Sequence, residues 1–531
     1  MNAERKSGFW RFLPGPRSVR GATPTSHDAA PEPRALSRLV IVGNGMVSHR
    51  LCAVLARLGA SSRYAITVLG DEPYLAYDRI HLSRYVTGGD RSTLRLAPRT
   101  WYSERDIAIY TGDEAVAIDR EARTVTASSG KTYAYDRLVL VTGAIPTFPS
   151  VSGLHRESAY VYRTISDLEA IKSAAVNARS VAIIGGGLLG LEAAQALQAL
   201  GLKTHVVENA NHLLPRQLDA GGAAQLCTAV EALGISVLLG KSTARVDHHQ
   251  RGGVTLHFTD ETTLTADMLV VSAGVRPRDG LAEASGLACG AGGGVLVNDR
   301  LITTDPAILA AGDCVNFRGT VYGLVGPGYQ MAEVVAANLM GARRRFRESG
   351  AATRLKLLGV DVASLGDALQ PGQPLVFSDS TCYRMLNFRS GRLIGAIGTG
   401  AWPELGRIQT LIERCGGLSR WQRNRFLKTG NAFAPGSEAS VTAWPDDVIA
   451  CNCVGITCGQ LRAAAADGID TADRVREELG ATTVCNSCTE RVAQLIAAPA
   501  VATRSRRGWR RAWFLAALAV VAAWLGFPGS D

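Results

Sequence analysis

Twice in this sequence a short apolar run stops at a glycine-rich turn and resumes as an apolar-periodic helix, and that repeat limits the possible folds more than any other feature. The first copy is RLVIVGNGMVSHRLCAVLARLG, with a predicted strand at Leu39–Val42 and a helix reaching Gly59; the second is SVAIIGGGLLGLEAAQALQALG. Glycine serves the tight turn at Gly43 and Gly185. At Gly45 and Gly187 it lets backbone approach a pyrophosphate lying on the helix N-terminus. The third position of the spacing is Gly190 in the second copy and Ser48, a small but imperfect substitute, in the first. A further predicted strand, Ala65–Leu69, ends in Gly70-Asp71-Glu72, so the Glu72 carboxylate falls near the distance expected for a ribose hydroxyl. In the second copy THVVE places Glu208 18 residues beyond Gly190. A carboxylate there accepts both ribose hydroxyls of NADH and repels a 2′-phosphate, and no arginine adjoins it, which favours NADH over NADPH. The fold class that follows is α/β, with two dinucleotide-binding, Rossmann-like domains.

The rest of the chain is too long for those two units alone. At 531 residues, with 20% charged residues, 47% apolar residues and 57 glycines, it reads as several globular domains rather than as a disordered chain. The net charge of +10 suggests nucleic acid until it is located: eight of the ten charges sit in residues 1–38 and 503–531, so the middle is nearly neutral and nucleic-acid binding is not expected. Residues 1–36 mix Pro, Gly, Ser and Arg and read as a flexible basic arm without a secretory signal. Near the other end Arg504, Arg506, Arg507, Arg510 and Arg511 lead into 16 uncharged residues, Ala512–Phe527. These predict a single-pass membrane anchor over 509–527, short unless Trp509 and Arg510 sit among headgroups, with the body on the cytoplasmic side of the inner membrane. Of eleven cysteines, six are scattered and five fall within Cys451–Cys488, a usage that suits a reducing compartment and one local metal site.

Further stretches give the chain a family resemblance. DRLVLVTGAIP, LVVSAGVRP and TTDPAILAAGDC resemble segments of the two-dinucleotide-domain flavoproteins among the pyridine nucleotide oxidoreductases. The resemblance implies FAD as a second cofactor beside NADH. It puts Thr142 and Gly143 where the chain leaves the first FAD-binding half, Gly274 at the return from the NADH domain, and Gly312 and Asp313 at the flavin ribityl chain. It also implies that a helix starting near Gly328 aims its positive end at the flavin pyrimidine. YDRIHLSRY is similar to the FAD-proximal helix of ferredoxin- and rubredoxin-type reductases, which carries Arg79 and Arg84 to the cofactor. Glu192 corresponds to an acid near the nicotinamide; Arg84 and Glu192 are therefore the expected catalytic-site residues, tuning the flavin rather than acting as acid or base. Disulfide reductases of this superfamily carry a Cys-x4-Cys pair that is missing here, since residues 71–110 contain no cysteine and Cys52 reads as a core thiol. Electrons must leave by another route.

Cys451-x-Cys453 and Cys485-x2-Cys488, 31 residues apart and each followed by an amphipathic helical stretch, offer that route. Four thiolates hold either a tetrahedral zinc or a 2Fe-2S cluster. The spacing resembles the small 2Fe-2S domain of bacterioferritin-associated ferredoxin, found also within nitrite reductase large subunits; Cys458 falls outside the quartet. QLDAGGA, VYGLVGP and KLLGVDVASLGD are similar to the same nitrite reductases, whose sirohaem and 4Fe-4S cysteine pairs are not found here. The domains expected are a first FAD-binding part (37–150), an NADH-binding domain (151–280), a second FAD-binding part (281–345), a small α+β domain (350–430) turning at Ser390-Gly391, a linker (431–447) read as a mobile tether, and a 2Fe-2S domain (448–500). Together these imply an NADH-dependent reductase passing electrons to a separate protein: a nitrate reductase, a sirohaem nitrite reductase or a ferredoxin-like carrier. A homodimer is also expected. The alternatives are a ferredoxin- or rubredoxin-type reductase, an NADH oxidase, and a membrane redox sensor that is not an enzyme.

Overall fold

The computed structural model describes residues 35–250, 252–347, 352–357, 359–434, 441–451, 454–483 and 488–497. The basic arm, the apolar segment 509–527 and two of the four quartet cysteines, Cys453 and Cys485, lie outside the described residues. Among the described residues no helix is long and apolar enough to cross a membrane.

Strand β1 (Ser37–Val42) leads through the first glycine turn into helix α1 (Met46–Arg57), and the chain returns in β2 (Tyr64–Gly70). Helix α2 (Leu82–Val86) precedes β3 (Ile107–Thr111) and β4 (Arg137–Leu140). These strands and a strand returning at Ile308–Ala310 form one all-parallel sheet in the order β3-β2-β1-β4-returning strand. Leu39, Val40, Ile41 and Val42 are all buried, as in a strand covered on both faces, so the sequence shows an unbroken apolar run rather than alternation. The order reverses between β2 and β4 on either side of β1, and at that switch the carboxyl edge opens a crevice for a ligand. The second unit repeats the plan. Strands β5 (Tyr160–Val161), β6 (Ser180–Ile184), β7 (Lys203–Val207), β8 (Ser236–Leu238) and β9 (Met268–Val271) form a parallel sheet in the order β8-β7-β6-β9-β5, with helix α3 (Leu188–Ala199) crossing from β6 to β7.

Helix α4 (Ala220–Ala232) joins the second unit to the small α+β domain and explains the QLDAGGA motif. Asp219 caps the helix by accepting from the Gly222 amide at 3.0 Å, and its other oxygen accepts from the Tyr383 hydroxyl. Gly221 and Gly222 leave room for the Tyr383 ring, because a Cβ on Gly221 would lie 2.4 Å from Tyr383 Cε2. Helix α5 (Val325–Leu339) lies against α1, and the antiparallel sheet of the α+β domain follows: β10 (Ala352–Leu357), β11 (Val360–Gly366), β12 (Gln373–Ser378), β13 (Tyr383–Arg389) and β14 (Arg392–Thr399) in the order β10-β11-β14-β13-β12. Ser390 and Gly391, both at positive φ, make the two-residue hairpin that the sequence places there.

Helices α6 (Leu405–Glu413) and α7 (Arg420–Thr429) close that domain. The cysteine module is a small ribbon, β15 (Ile449–Cys451) and β16 (Ile456–Thr457), with helices α8 (Cys458–Ala466), α9 (Ala472–Leu479) and α10 (Thr489–Ala497). The stretch 431–447, expected to be a mobile tether, makes hydrogen bonds at both of its described ends. Buried Glu404 accepts from the amides of Ala432 and Phe433, each at 2.8 Å, and Arg462 donates to the carbonyls of Thr442 and Trp444 at 2.8 and 2.7 Å. Composition alone reports the Pro, Gly and Ser of this stretch but not the buried acceptor that ties it down. Gly221→Ala should destabilise the protein by about 1–3 kcal/mol through overpacking against Tyr383, although alanine is the better helix former by about 1 kcal/mol. Urea denaturation of Gly221→Ala, alone and with Tyr383→Leu, checks this, and the double variant should recover part of the loss.

Candidate functional site

The first glycine turn presents a bare helix end. Gly43 has φ 113°, and a Cβ there would stand 2.2 Å from the Val141 carbonyl oxygen, so only glycine lets the chain leave β1 beside β4. Gly45 is the N-cap of α1 and makes no side-chain cap; the first turn carries no acid, and nothing lies within 4 Å of where a Gly45 Cβ would point. Unpaired amides at the positive end of a helix, with open space before them, fit a phosphate. Ser48 is buried one turn in. Helix α5 closes on the same place: a Cβ on Gly328 would lie 2.7 Å from Val47 Cγ2 and 3.5 Å from Gly312 Cα. The helix begins at Val325, three residues before the position its sequence suggests.

Around that end lies a half-buried chain of charges. Both Glu72 oxygens are engaged, one by Arg79 and one by the Tyr77 hydroxyl at 2.6 Å. Arg79 also donates to the Arg163 carbonyl at 3.1 Å; Arg163 donates through Nε to the Ala144 carbonyl at 2.9 Å and faces the Asp313 carboxylate at 3.7 Å. Burial pushes the Asp313 carboxyl upward, and Arg163 and Arg79 oppose that rise. Thr142 and Gly143 are fixed by Arg278, whose carbonyl accepts from Thr142 Oγ1 at 2.6 Å and whose amide donates to the Gly143 carbonyl at 2.9 Å. The Arg278 guanidinium pairs with Asp71 and Glu114. Gly274 and Gly312 take positive φ at the two crossings. Arg84 differs from the other expected residues: it is exposed on α2 and stands apart from this network. Tyr77, Arg163 and Arg278 were not singled out from the sequence. Arg163 leaves a trace there, as a lone cation after AYVY that a buried strand must pair.

In the second unit a Cβ on Gly185 would lie 2.3 Å from the Ser272 carbonyl oxygen, and one on Gly190 would lie 2.0 Å from the Gly185 carbonyl oxygen, so helix and turn touch through backbone. Gly187, the N-cap of α3, is as open as Gly45. The Glu208 carboxylate is held beside that turn by the amides of Gly186 and Ala210, each at 2.7 Å. Glu192 is half-buried in α3, with its Oε2 out of solvent and lacking a hydrogen-bond partner. Burial, then the nearby Asp78 charge, pushes its carboxyl up to about 8. The shift favours the protonated form over the carboxylate near neutral pH.

Cys451 ends β15 and Cys488 precedes α10, and both are 2% exposed within one apolar cluster with Val454, Ile456, Leu461 and Val492. Met46 of α1 and Tyr329 of α5 belong to the same cluster, so the module packs directly on the two helix ends described above. Cys458, the first residue of α8, is fully buried, and burial pushes its thiol up to about 11, which suits a packing role. Two thiols of the quartet thus share one water-poor core, a donor set suited to iron–sulfur or zinc chemistry.

Residues 37–341 match the pyridine nucleotide-disulphide oxidoreductase family, residues 352–415 the rubredoxin NAD+ reductase C-terminal domain, and residues 449–498 the BFD-like 2Fe-2S binding domain. The chain belongs to the pyridine nucleotide-disulphide oxidoreductase family. It is 37% identical over 467 residues to the nitrite reductase (NADH) large subunit of Escherichia coli, covering 86% of this chain and 55% of that protein. It is 30% identical over 467 residues to the assimilatory nitrate reductase electron transfer subunit of Bacillus subtilis, covering 86% and 59%. The chain thus spans about half the length of the curated relatives it matches. Among solved structures, a ferredoxin reductase for the CYP199A2 system of Rhodopseudomonas palustris superposes with a TM-score of 0.67 at 25% identity, covering 74% of this chain and all of that one.

The raised Glu192 carboxyl gives a pH signature. A carboxyl whose folded pKa exceeds its unfolded value contributes stability that is complete below about 4.5 and lost as pH rises through about 8. Glu192→Gln removes that slope. Denaturation midpoints measured between pH 5 and pH 9 should fall more steeply for the parent than for Glu192→Gln, and parallel curves would place Glu192 in water.

Proposed function

We propose that this chain is an NADH-dependent FAD and 2Fe-2S oxidoreductase that passes electrons to a separate acceptor protein in nitrate or nitrite reduction. The observation that carries the reading is the shared apolar cluster joining Cys451 and Cys488 to Met46 and Tyr329, at the ends of α1 and α5. A thiolate site built there lies against the FAD site within one chain. Bound FAD supplies the exchange between a two-electron donor and one-electron acceptors, and a 2Fe-2S centre on Cys451, Cys453, Cys485 and Cys488 supplies the one-electron station.

In this reading Gly43, Gly45 and Ser48 shape the phosphate seat at α1, while Thr142, Gly143, Gly274, Gly312 and Asp313 line the path of the flavin chain. Arg79 holds Glu72, and through the Arg163 backbone it supports Asp313; Arg84 remains available to the cofactor edge. Gly185, Gly187 and Gly190 seat the NADH pyrophosphate, and Glu208 holds its ribose. Two backbone donors fix the Glu208 carboxylate in orientation, so the loss of entropy on binding the ribose is small. When protonated, Glu192 can donate a hydrogen bond that a carboxylate cannot, and it places no negative charge beside a bound nicotinamide. The amides at the N-terminal end of α5 stabilise negative charge that develops beside them.

The relatives' names point to the acceptor class. The Bacillus subtilis relative is named an electron transfer subunit, which favours a separate protein acceptor. Residues 509–527 would anchor the chain to the cytoplasmic face of the inner membrane, and a homodimer fits the reading. With ferricyanide or cytochrome c as acceptor, the holoprotein should turn over NADH at about tens per second or more. Glu208→Arg should move the preference toward NADPH. Negligible turnover would contradict an enzymatic role, and an unchanged NADH preference would put the ribose elsewhere. Truncation after Ala502 should release an NADH-oxidising protein from membranes; retention of the truncated chain would refute the anchor.

A further inference from the structure

Arg50 is the one cation of α1 that points into packed protein. It sits on the apolar stripe between Met46 and Val54, with 4% of its side chain exposed. One guanidinium nitrogen donates to Glu333 of α5 at 2.9 Å and the other to the Glu477 carbonyl, in the last turn of α9, at 3.0 Å; Nε has no partner. Arg57, two turns on, donates to the next carbonyl, that of Glu478, at 2.6 Å. Cations on the final carbonyls of a helix meet its negative end and satisfy acceptors that the helix leaves unpaired. The same turn is gripped through its side chain: Glu477 accepts from Trp101 Nε1 at 2.7 Å and from Arg105 at 3.4 Å. Gly480, at φ 75°, then ends α9 with its Cα face against Tyr329 and the Arg50 guanidinium, where a Cβ would be 3.5 and 3.6 Å away. Every partner named so far on the Glu477 side belongs to the cysteine module, and every donor belongs to the flavin-binding unit.

We propose that Arg50 is a positioning residue that seats the cysteine module on the ends of α1 and α5, fixing the thiolate site at one place relative to the FAD site; this rests on the function proposed above. The arrangement is conditional. With the module seated, Arg50 is out of water and needs both Glu333 and the α9 carbonyl; with the module lifted, Arg50, Arg57 and the last turn of α9 all return to water. A seat built on a buried, charge-assisted hydrogen bond has one geometry, which an apolar contact alone does not specify.

The test compares the holoprotein with Arg50→Met and with Glu477→Ala, which attacks the same seat from the module side and leaves α1 untouched. Hydrogen–deuterium exchange of the α9 amides should rise about tenfold or more in each variant, the scale of one lost charge-assisted hydrogen bond. Bleaching of the flavin by NADH should keep its parental rate, while the paramagnetic iron signal forms more slowly. Arg50→Lys, which keeps the charge but loses the fork, should fall between. Unchanged α9 exchange in both variants would overturn the proposal, as would slowed flavin bleaching with parental exchange, which would make Arg50 part of the FAD site. If the parent holds no iron, the reading of the function fails, and the exchange comparison still decides the seat.

Discussion

The close meeting of α1 and α5 sets the terms for the rest of the molecule. Two helices bring their amino-terminal ends together with glycine at the contact, Gly45 open and Gly328 pressed on Val47, so positive backbone charge gathers where neither helix carries an acid in its first turn. Such a place must be answered by an anionic ligand or stay in water. The parallel sheet supplies the crevice, and the charged chain from Glu72 through Arg79 and Arg163 to Asp313 supplies its polar wall. Each of those groups is half-buried and each has a partner, so none of the charges is left alone where water is scarce.

The second unit repeats this construction with cleaner spacing, which shows what the first one adapted. Gly190 lets α3 touch the Gly185 carbonyl, whereas Ser48 occupies the equivalent place in α1 and is simply buried. The two units also differ in their acids. Glu208 is held by backbone amides alone and keeps its capacity to accept from a ribose, while both Glu72 oxygens are taken by protein side chains. The two acids thus differ in what holds them, backbone in one unit and side chains in the other.

Much of this was legible because backbone geometry leaves a direct mark on residue type. Gly43, Gly45, Gly185, Gly187 and Gly190 could be placed from spacing, and the apolar Leu39–Val42 run marked a strand. The hairpin at Ser390-Gly391 followed from the same logic. What stayed hidden were long-range pairings: Arg163 with Asp313, Arg278 with Thr142 and Gly143, and Tyr383 with Gly221 join residues distant in the chain, and no local pattern encodes their meeting. The docking of the cysteine module was hidden for a similar reason. Its signal, Arg50 on an apolar helix stripe, reads as an exception until α9 is seen to cover it.

The joining of flavin and thiolate chemistry in one chain is the central claim, and it is open to one direct observation. Protein isolated without oxygen is mixed with NADH, frozen within about a second, and examined for a paramagnetic iron centre alongside the flavin absorbance. The account predicts flavin bleaching together with a 2Fe-2S signal from material holding about two irons and two sulfides per chain. Flavin bleaching with zinc in place of iron, or with an iron centre that stays silent, would contradict it.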